Sequence, residues 1–281
     1  MKKNVLTELL MVQFEAYLIQ EERSAATIEK YLRDIHAFYR WLPQDKTVKK
    51  EFIIAYKQSL ASSYQAASIN SMLVALNCLW TFLKWPEFRV KLLKIQKKSF
   101  RDAQKELSRE EYERLVQTAK SCKKERLCLM LQTICCTGIR VSEHGFITAE
   151  AVKRGYAQIR NKGKDRVVYL PEALCRKLVQ YCRKHSIESG PVFITRSGKP
   201  INRSNIWSEM KSLCSQANVD PNKVFPHNLR HLFAVTFYRM EKDIVHLADI
   251  LGHASIETTR IYTKTSGIEH LKQLSRLRLV I

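Results

Sequence analysis

Apolar residues recur at helical spacing through the first part of the chain. Residues 5 to 21 carry Leu6, Leu9, Leu10, Val12, Phe14, Tyr17 and Leu18, a stripe that predicts an amphipathic helix. Ser24 is placed to cap a second helix, whose apolar side holds Ile28, Tyr31, Leu32, Ile35, Phe38, Tyr39 and Trp41-Leu42. Pro43 ends it, because the ring removes a donor and clashes with the preceding turn. Two more helices are predicted near 49–61 and 65–84. Four such helices must pack on one another to bury their stripes, so residues 1–85 read as a small helical domain.

The pattern changes at Trp85-Pro86. Lys84, Arg89, Lys91, Lys94, Lys97, Lys98, Arg101 and Lys105 stand against only Glu87 and Asp102. Residues 86–105 therefore predict a basic linker, or a solvated charged face over the first half. A second domain, 106–281, opens where Ser108 can cap a helix with Glu111 three residues on. An apolar helix is predicted from Glu125 to Thr137, with Gly138 ending it and presenting Arg140. Tyr156–Arg160 and Arg166–Leu170 read as short strands joined by the turn Asn161-Lys162-Gly163-Lys164. Helices return after Pro171, with turns at Ser189-Gly190-Pro191 and Ser197-Gly198-Lys199-Pro200. The predicted class is mainly α with one small β-sheet.

Charge narrows the partner. Up to residue 105 there are 18 basic and 10 acidic residues, and beyond it 30 and 17, within a formal net charge of +21. Both parts are positive, and a polyanion such as nucleic acid is the natural partner. None of the eight cysteines forms a CxxC, so zinc spacing is absent, and Cys135-Cys136 read as small core hydrophobes inside an apolar run. The start Met-Lys-Lys-Asn-Val lacks an apolar signal segment, and no run approaches the ~20 apolar residues that span a bilayer. The expectation is a reduced, cytoplasmic protein.

The chemistry concentrates in five short frames: Thr137-Gly138-Ile139-Arg140-Val141-Ser142-Glu143, Asn161-Lys162-Gly163-Lys164-Asp165-Arg166, His227-Asn228-Leu229-Arg230-His231, Leu251-Gly252-His253 and Thr259-Arg260-Ile261-Tyr262-Thr263. Two arginines can grip the non-bridging oxygens of one phosphate, because each stays protonated and offers a planar fork. A tyrosine hydroxyl, with an unperturbed pKa of ~10, becomes a nucleophile only beside cations or a base. A lysine at a hairpin tip can give a proton to a leaving oxygen. His227 and His253 can donate to the phosphate or relay the tyrosine's proton. His227 and His231, four residues apart, lack the Glu of HExxH and a third ligand, so no metal is expected.

These frames, in this order, with the tyrosine nine residues after the last histidine, resemble the tyrosine recombinases of the lambda-integrase and Xer class. The resemblance implies a two-domain DNA clamp, a helical core-binding (SAM-like) domain followed by a catalytic domain. It implies catalytic roles for Arg140, Lys162, His227, Arg230, His253 and Tyr262, with no cofactor. Lys162 precedes the turn glycine, as the family's catalytic lysine usually does, and Lys164 is its competitor. Glu143 matches an acidic position that orients Arg140 or a histidine, and His231 would buttress the site. One departure is the absence of the glycine that the family commonly carries before the LGH helix; here the segment is Met240-Glu241-Lys242-Asp243-Ile244.

The implied activity is site-specific recombination of double-stranded DNA through a covalent 3′-phosphotyrosine, by a tetramer on paired half-sites. Integration, excision, inversion and dimer resolution all fit. A type IB topoisomerase and a catalytically idle DNA-binding regulator are the rival readings. Helices beginning near residue 5 lead one to expect a simple recombinase without an added arm-binding domain. Ile268, Leu271, Leu274 and Leu277 recur every three residues, which predicts a C-terminal helix docked on a neighbouring subunit or on its own domain.

Overall fold

The structure, a computed structural model, describes residues 4–96, 103–161, 164–195, 197–263, 270–271 and 275–277. The chain divides into two compact units, Met1–Lys97 and Lys98–Ile281. Among the described residues the structure is mainly helical, and its one sheet has two strands.

The first unit holds α1 (Glu8–Gln20), α2 (Ala25–Trp41), α3 (Lys50–Leu60) and α4 (Ala66–Phe82). Each lies within a few residues of its sequence prediction. Thr7 caps α1, its Oγ1 accepting from Leu10 N at 3.3 Å. Ser24 occupies the cap position of α2 but makes no capping bond; its hydroxyl meets Thr27 Oγ1 at 2.8 Å instead. Phe14, Leu18, Ile35, Phe38, Leu76 and Trp80 are fully buried between the four helices, each contributing about 1.5–3 kcal/mol of transfer free energy.

The basic segment after α4 divides in character. Phe88 and Val90 insert into the core of the first unit. Asn77 donates to Val90 O and accepts from Val90 N, both at 2.9 Å. Asn70, two turns earlier on α4, does the same for Leu93 at 2.9 and 2.7 Å. Two amide side chains thus clasp an extended segment that pairs with no strand among the described residues, which satisfies backbone groups of Val90 and Leu93.

The second unit opens with α5 (Arg109–Ser121), where the Ser108–Glu111 capping box forms as the sequence predicts. Next comes α6 (Glu125–Thr137), buried on most sides. Gly138 ends α6 at φ +65, and a Cβ there would lie 2.4 Å from the Phe233 ring. Only glycine meets both demands. Then follow α7 (Ala149–Arg154), the antiparallel strands β1 (Tyr156–Asn161) and β2 (Lys164–Tyr169), and α8 (Glu172–Lys184). Ala157, Ile159 and Val168 face the core, whereas Val167 and Tyr169 are exposed. After α9 (Arg203–Lys211) and the short α10 (Cys214–Ala217) come α11 (Pro226–Glu241), α12 (Ile244–Leu251) and the single turn α13 (Ile256–Thr259).

Two sequence expectations are corrected or refined here. Cys136 is exposed and Cys135 half-buried, so this pair is not core. The apolar run of α6 outlasts its buried face, which holds Leu127, Met130, Leu131 and Ile134. At the junction lacking the family's glycine, Lys242 itself adopts the left-handed conformation, φ +57, and caps α11 through its N–H to Tyr238 O. The turn is kept at the cost of placing a Cβ where glycine is favoured. Among the described residues no helix is long and apolar enough to cross a membrane. Of the tail stripe, Leu271 and Leu277 are exposed, and Ile268 and Leu274 lie outside the described residues.

Candidate active site

The site is assembled from two helix ends. Beyond Gly138 the chain buries Ile139 and turns into an extended Arg140 at the mouth of a 3₁₀ segment, Val141–Phe146. Glu143, one turn on, is 1% exposed and accepts from Arg140 N at 2.8 Å and Arg140 Nη1 at 3.0 Å. The other end of that guanidinium donates from Nη2 to Gly252 O at 3.2 Å. Burial alone would raise the Glu143 pKa. Hydrogen bonds from the Arg166 side chain, the Arg140 amide and the Arg140 side chain, with the Arg166 charge, overcome it and leave the carboxyl below its ordinary range.

Arg230 is 3% exposed in the second turn of α11. Its Nη1 donates to Gly138 O at 2.7 Å and its Nη2 to Leu251 O at 2.8 Å. These carbonyls lie at the C-terminal ends of α6 and α12, where backbone acceptors are unsatisfied and the dipoles are negative. Two helix ends thereby stabilise a buried cation. Burial, then the Arg140 charge, lowers its pKa to about 10, so it remains protonated at neutral pH.

His253 follows the left-handed cap Gly252 of α12. Its Nε2 lies 3.0 Å from Arg230 Nη2 and its Nδ1 2.8 Å from Thr259 Oγ1. A guanidinium has no acceptor, so Nε2 must accept and Nδ1 carries the proton to Thr259. Burial first, then Arg230, Arg140, Arg166 and His227, drives its pKa down to about 4. His227, in the first turn of α11, is exposed at the cleft yet ringed by protein. Desolvation, with Arg230 second, lowers its pKa as well.

Tyr262 ends a 3₁₀ turn, Arg260–Tyr262, that follows α13 directly. It is 2% exposed and packs with Ala234, Val235, Leu247 and Leu251. Its ring stacks on His253 at 6.1 Å between centroids and meets the His231 ring edge-on at 5.1 Å. His231 Nε2 also lies 3.6 Å from Glu106 Oε1.

A cleft of about 510 Å³ opens over these groups, lined by Arg140, Ser142, Arg203, Trp207, His227 and Arg230 among others. Tyr262 does not line it. A larger groove, about 1170 Å³ between α7 and α8, carries none of the predicted residues. The structure thus gathers Arg140, His227, Arg230, His253 and Tyr262. Lys162 lies outside the described residues, and so does the side chain of Lys164. Among the described residues no three His, Cys, Asp or Glu side chains group as a metal site. Two guanidiniums, of Arg140 and Arg166, share one carboxylate beside the buried Arg230 charge, which leaves a site suited to an anionic phosphate.

Sequence reasoning gave Arg166 and Thr259 no role, although both stand within the frames it singled out. Arg166 shares strand parity with the buried Val168, so alternation alone places it on the inward face. Thr259 sits three residues before Tyr262, fully buried, with no local pattern to mark it.

The chain is similar to known proteins over most of its length. The model of the phage integrase family matches residues 105–267, and that of the phage integrase N-terminal SAM-like domain matches 11–87. Tyrosine recombinase XerA of Thermococcus kodakarensis is 31% identical over 93% of this chain and 92% of its own. XerA of Pyrococcus furiosus is 28% identical over 97% and 95%. A crystal structure of XerA recombinase superposes with a TM-score of 0.55 at 25% identity, covering 98% of this chain and 100% of the other. A lambda integrase dimer bound to a COC' core site reaches 0.74 at 16% identity, over 93% and 96%, a likeness of fold. The chain belongs to the phage integrase family, the tyrosine recombinases.

Proposed function

We propose that this protein is a site-specific DNA recombinase that cuts and rejoins strands through a covalent 3′-phosphotyrosine at Tyr262. The observation that carries the reading is the shared footing of the two arginines. Arg140 and Arg230 both donate to the C-terminal end of α12, at Gly252 O and Leu251 O, one and two residues before His253. Donors fixed in this way need no reorganisation when charge develops on a phosphate.

In the reaction, Tyr262 Oη attacks the phosphorus and the bond to the 5′ oxygen breaks. The 5′ oxygen takes a proton from Lys162, or from Lys164 if that residue is the acid. Arg140 and Arg230 hold the non-bridging oxygens. His227, whose pKa burial lowers, has a lone pair to receive the tyrosine proton, whereas the Nε2 lone pair of His253 is taken by Arg230 and serves to hold that guanidinium. The reverse attack by a 5′ hydroxyl rejoins the strand and frees Tyr262. Because Tyr262 is buried beside His253 in this conformation, attack requires the turn 256–262 to carry it toward the cleft.

The proposed division of labour is a core-binding helical domain at 1–85, a basic linker at 86–105 and a catalytic domain at 106–281. The proposed partner is double-stranded DNA with paired half-sites, held by a tetramer in which residues 268–281 dock on a neighbour. A lambda integrase tetramer bound to a Holliday junction and XerH bound to its difH substrate are relatives consistent with this. The test is a nicked duplex that traps the cut strand. A protein–DNA adduct that survives denaturation supports the reading. Relaxation of supercoiled DNA lacking any site points to a topoisomerase, and DNA binding with no adduct to an idle regulator.

A further inference from the structure

One buried cation of the site lies outside the predicted set. Arg166, in β2 opposite Ile159, has a side chain only 14% exposed. Its Nη1 and Nη2 donate to the two oxygens of Glu143 at 3.0 and 2.7 Å. The same carboxylate receives Arg140 Nη1 and Arg140 N. A second contact lies at Gly252, where a Cβ would come within 2.8 Å of both Arg166 Cδ and Nη1. The peptide beneath Arg166 is therefore the one whose carbonyl accepts Arg140 Nη2.

We propose that Arg166 is a positioning residue that sets the Arg140 guanidinium for phosphate binding by competing for Glu143 and packing on Gly252. The proposal rests on the recombinase reading above. With Arg166 in place, Arg140 holds one oxygen of Glu143 by side chain and the other by backbone. Without Arg166 both oxygens are open to the Arg140 fork, and a bidentate pair would withdraw the donors that a phosphate needs. A lysine at 166 cannot reproduce this, because one ammonium does not span two carboxylate oxygens in a fixed plane.

The charge of Arg166 has a second, separable effect. His253 is faced by Arg230 and His227 from α11, by Arg140 and Glu143 from the 3₁₀ segment, by Arg166 from β2, and by the Tyr262 ring. Arg166 is among the cations that disfavour its protonation. Loss of the charge at 166 therefore raises the His253 midpoint, whether or not DNA is present.

Arg166→Lys and Arg166→Met, each with Arg140 intact or changed to Ala, test the proposal by single-turnover cleavage of the nicked duplex at saturating protein. With Arg140 intact, either change should slow cleavage by about 10- to 100-fold, the scale of a misplaced transition-state donor. Half-site affinity should stay within about twofold, as phosphate contacts elsewhere are untouched. In the Arg140→Ala background no further slowing is expected. Equal slowing in both backgrounds, a matching loss of affinity, or wild-type cleavage by Arg166→Lys overturns the proposal. The Lys variants keep the test open if Arg166→Met does not fold. Histidine NMR without DNA should show a raised His253 midpoint in Arg166→Met and a near-normal one in Arg166→Lys; an unmoved midpoint in Arg166→Met contradicts the account of the site. That arm needs no chemistry, so a protein that never cleaves DNA refutes the recombinase reading while the effect of Arg166 on the site is still measured.

Discussion

Thr259 Oγ1 lies 2.8 Å from His253 Nδ1, and with Arg230 on the opposite nitrogen this contact fixes the imidazole as a neutral Nδ1–H tautomer. The same threonine ends α13 and leads directly into the turn that carries Tyr262. Movement of the nucleophile and the state of His253 are therefore coupled through one hydroxyl. Thr259→Val keeps the shape and removes the acceptor. The variant should lose about 1–2 kcal/mol of stability from the unpaired buried N–H. The Nδ1–H tautomer should persist in nitrogen-detected NMR, because Arg230 still donates to Nε2, while cleavage should be about tenfold slower, a loss of about 1.4 kcal/mol of transition-state stabilisation.

Acid should destabilise the protein through His253. Its folded pKa, about 4, lies below the ordinary value of 6.5, so between these values the unfolded chain binds more protons. Stability is full above pH 6.5 and falls toward pH 4, by an amount on the order of 2 kcal/mol after allowance for partial exposure. His227, also depressed, adds in the same direction. Glu143, whose folded pKa lies below 4.5, keeps its contribution until lower pH still. Urea melts at pH 7 and pH 5 should show a gap that narrows in His253→Gln.

Two backbone positions make opposite predictions. Gly138→Ala places a Cβ at φ +65 against Phe233 and should cost about 1–2 kcal/mol from the conformation, with more from the displaced ring. Lys242→Gly relieves a left-handed lysine at the end of α11 and should raise stability by about 0.5–1 kcal/mol. Thermal melts of the two variants check both signs.

Much of this was legible before the structure, for reasons that are local. The α6 helix appears at its predicted bounds because an apolar run closes on a glycine, and the Ser108–Glu111 box because its partners lie three residues apart. The five frames were legible because each motif is contiguous. What could not be read is how the frames meet. The Arg140–Gly252 bond joins residues 112 apart and the Arg230–Gly138 bond residues 92 apart. Arg166 was hidden for a different reason. A charged residue in a short exposed hairpin reads as solvated unless its parity with Val168 is weighed against the buried Glu143 it meets. The clasp of Asn70 and Asn77 on residues 90 and 93 was likewise unreadable, since amides on a helix face look like ordinary surface.

The two lysines at the hairpin are separable by chemistry. A substrate with sulfur in place of the 5′ leaving oxygen releases a thiolate that needs no proton. If Lys162 is the general acid, Lys162→Ala should be slow on ordinary DNA and largely restored on the sulfur substrate, with Lys164→Ala mild on both. The reverse pattern assigns the role to Lys164.

The most direct measurement identifies the residue joined to DNA. Wild-type protein is incubated with the nicked duplex, the adduct is digested with protease and nuclease, and the modified peptide is mapped by mass spectrometry. The account predicts a nucleotide linked through its 3′ phosphate to Tyr262, and no adduct in Tyr262→Phe despite unchanged DNA binding. An adduct on another residue, or one that persists in Tyr262→Phe, would contradict it.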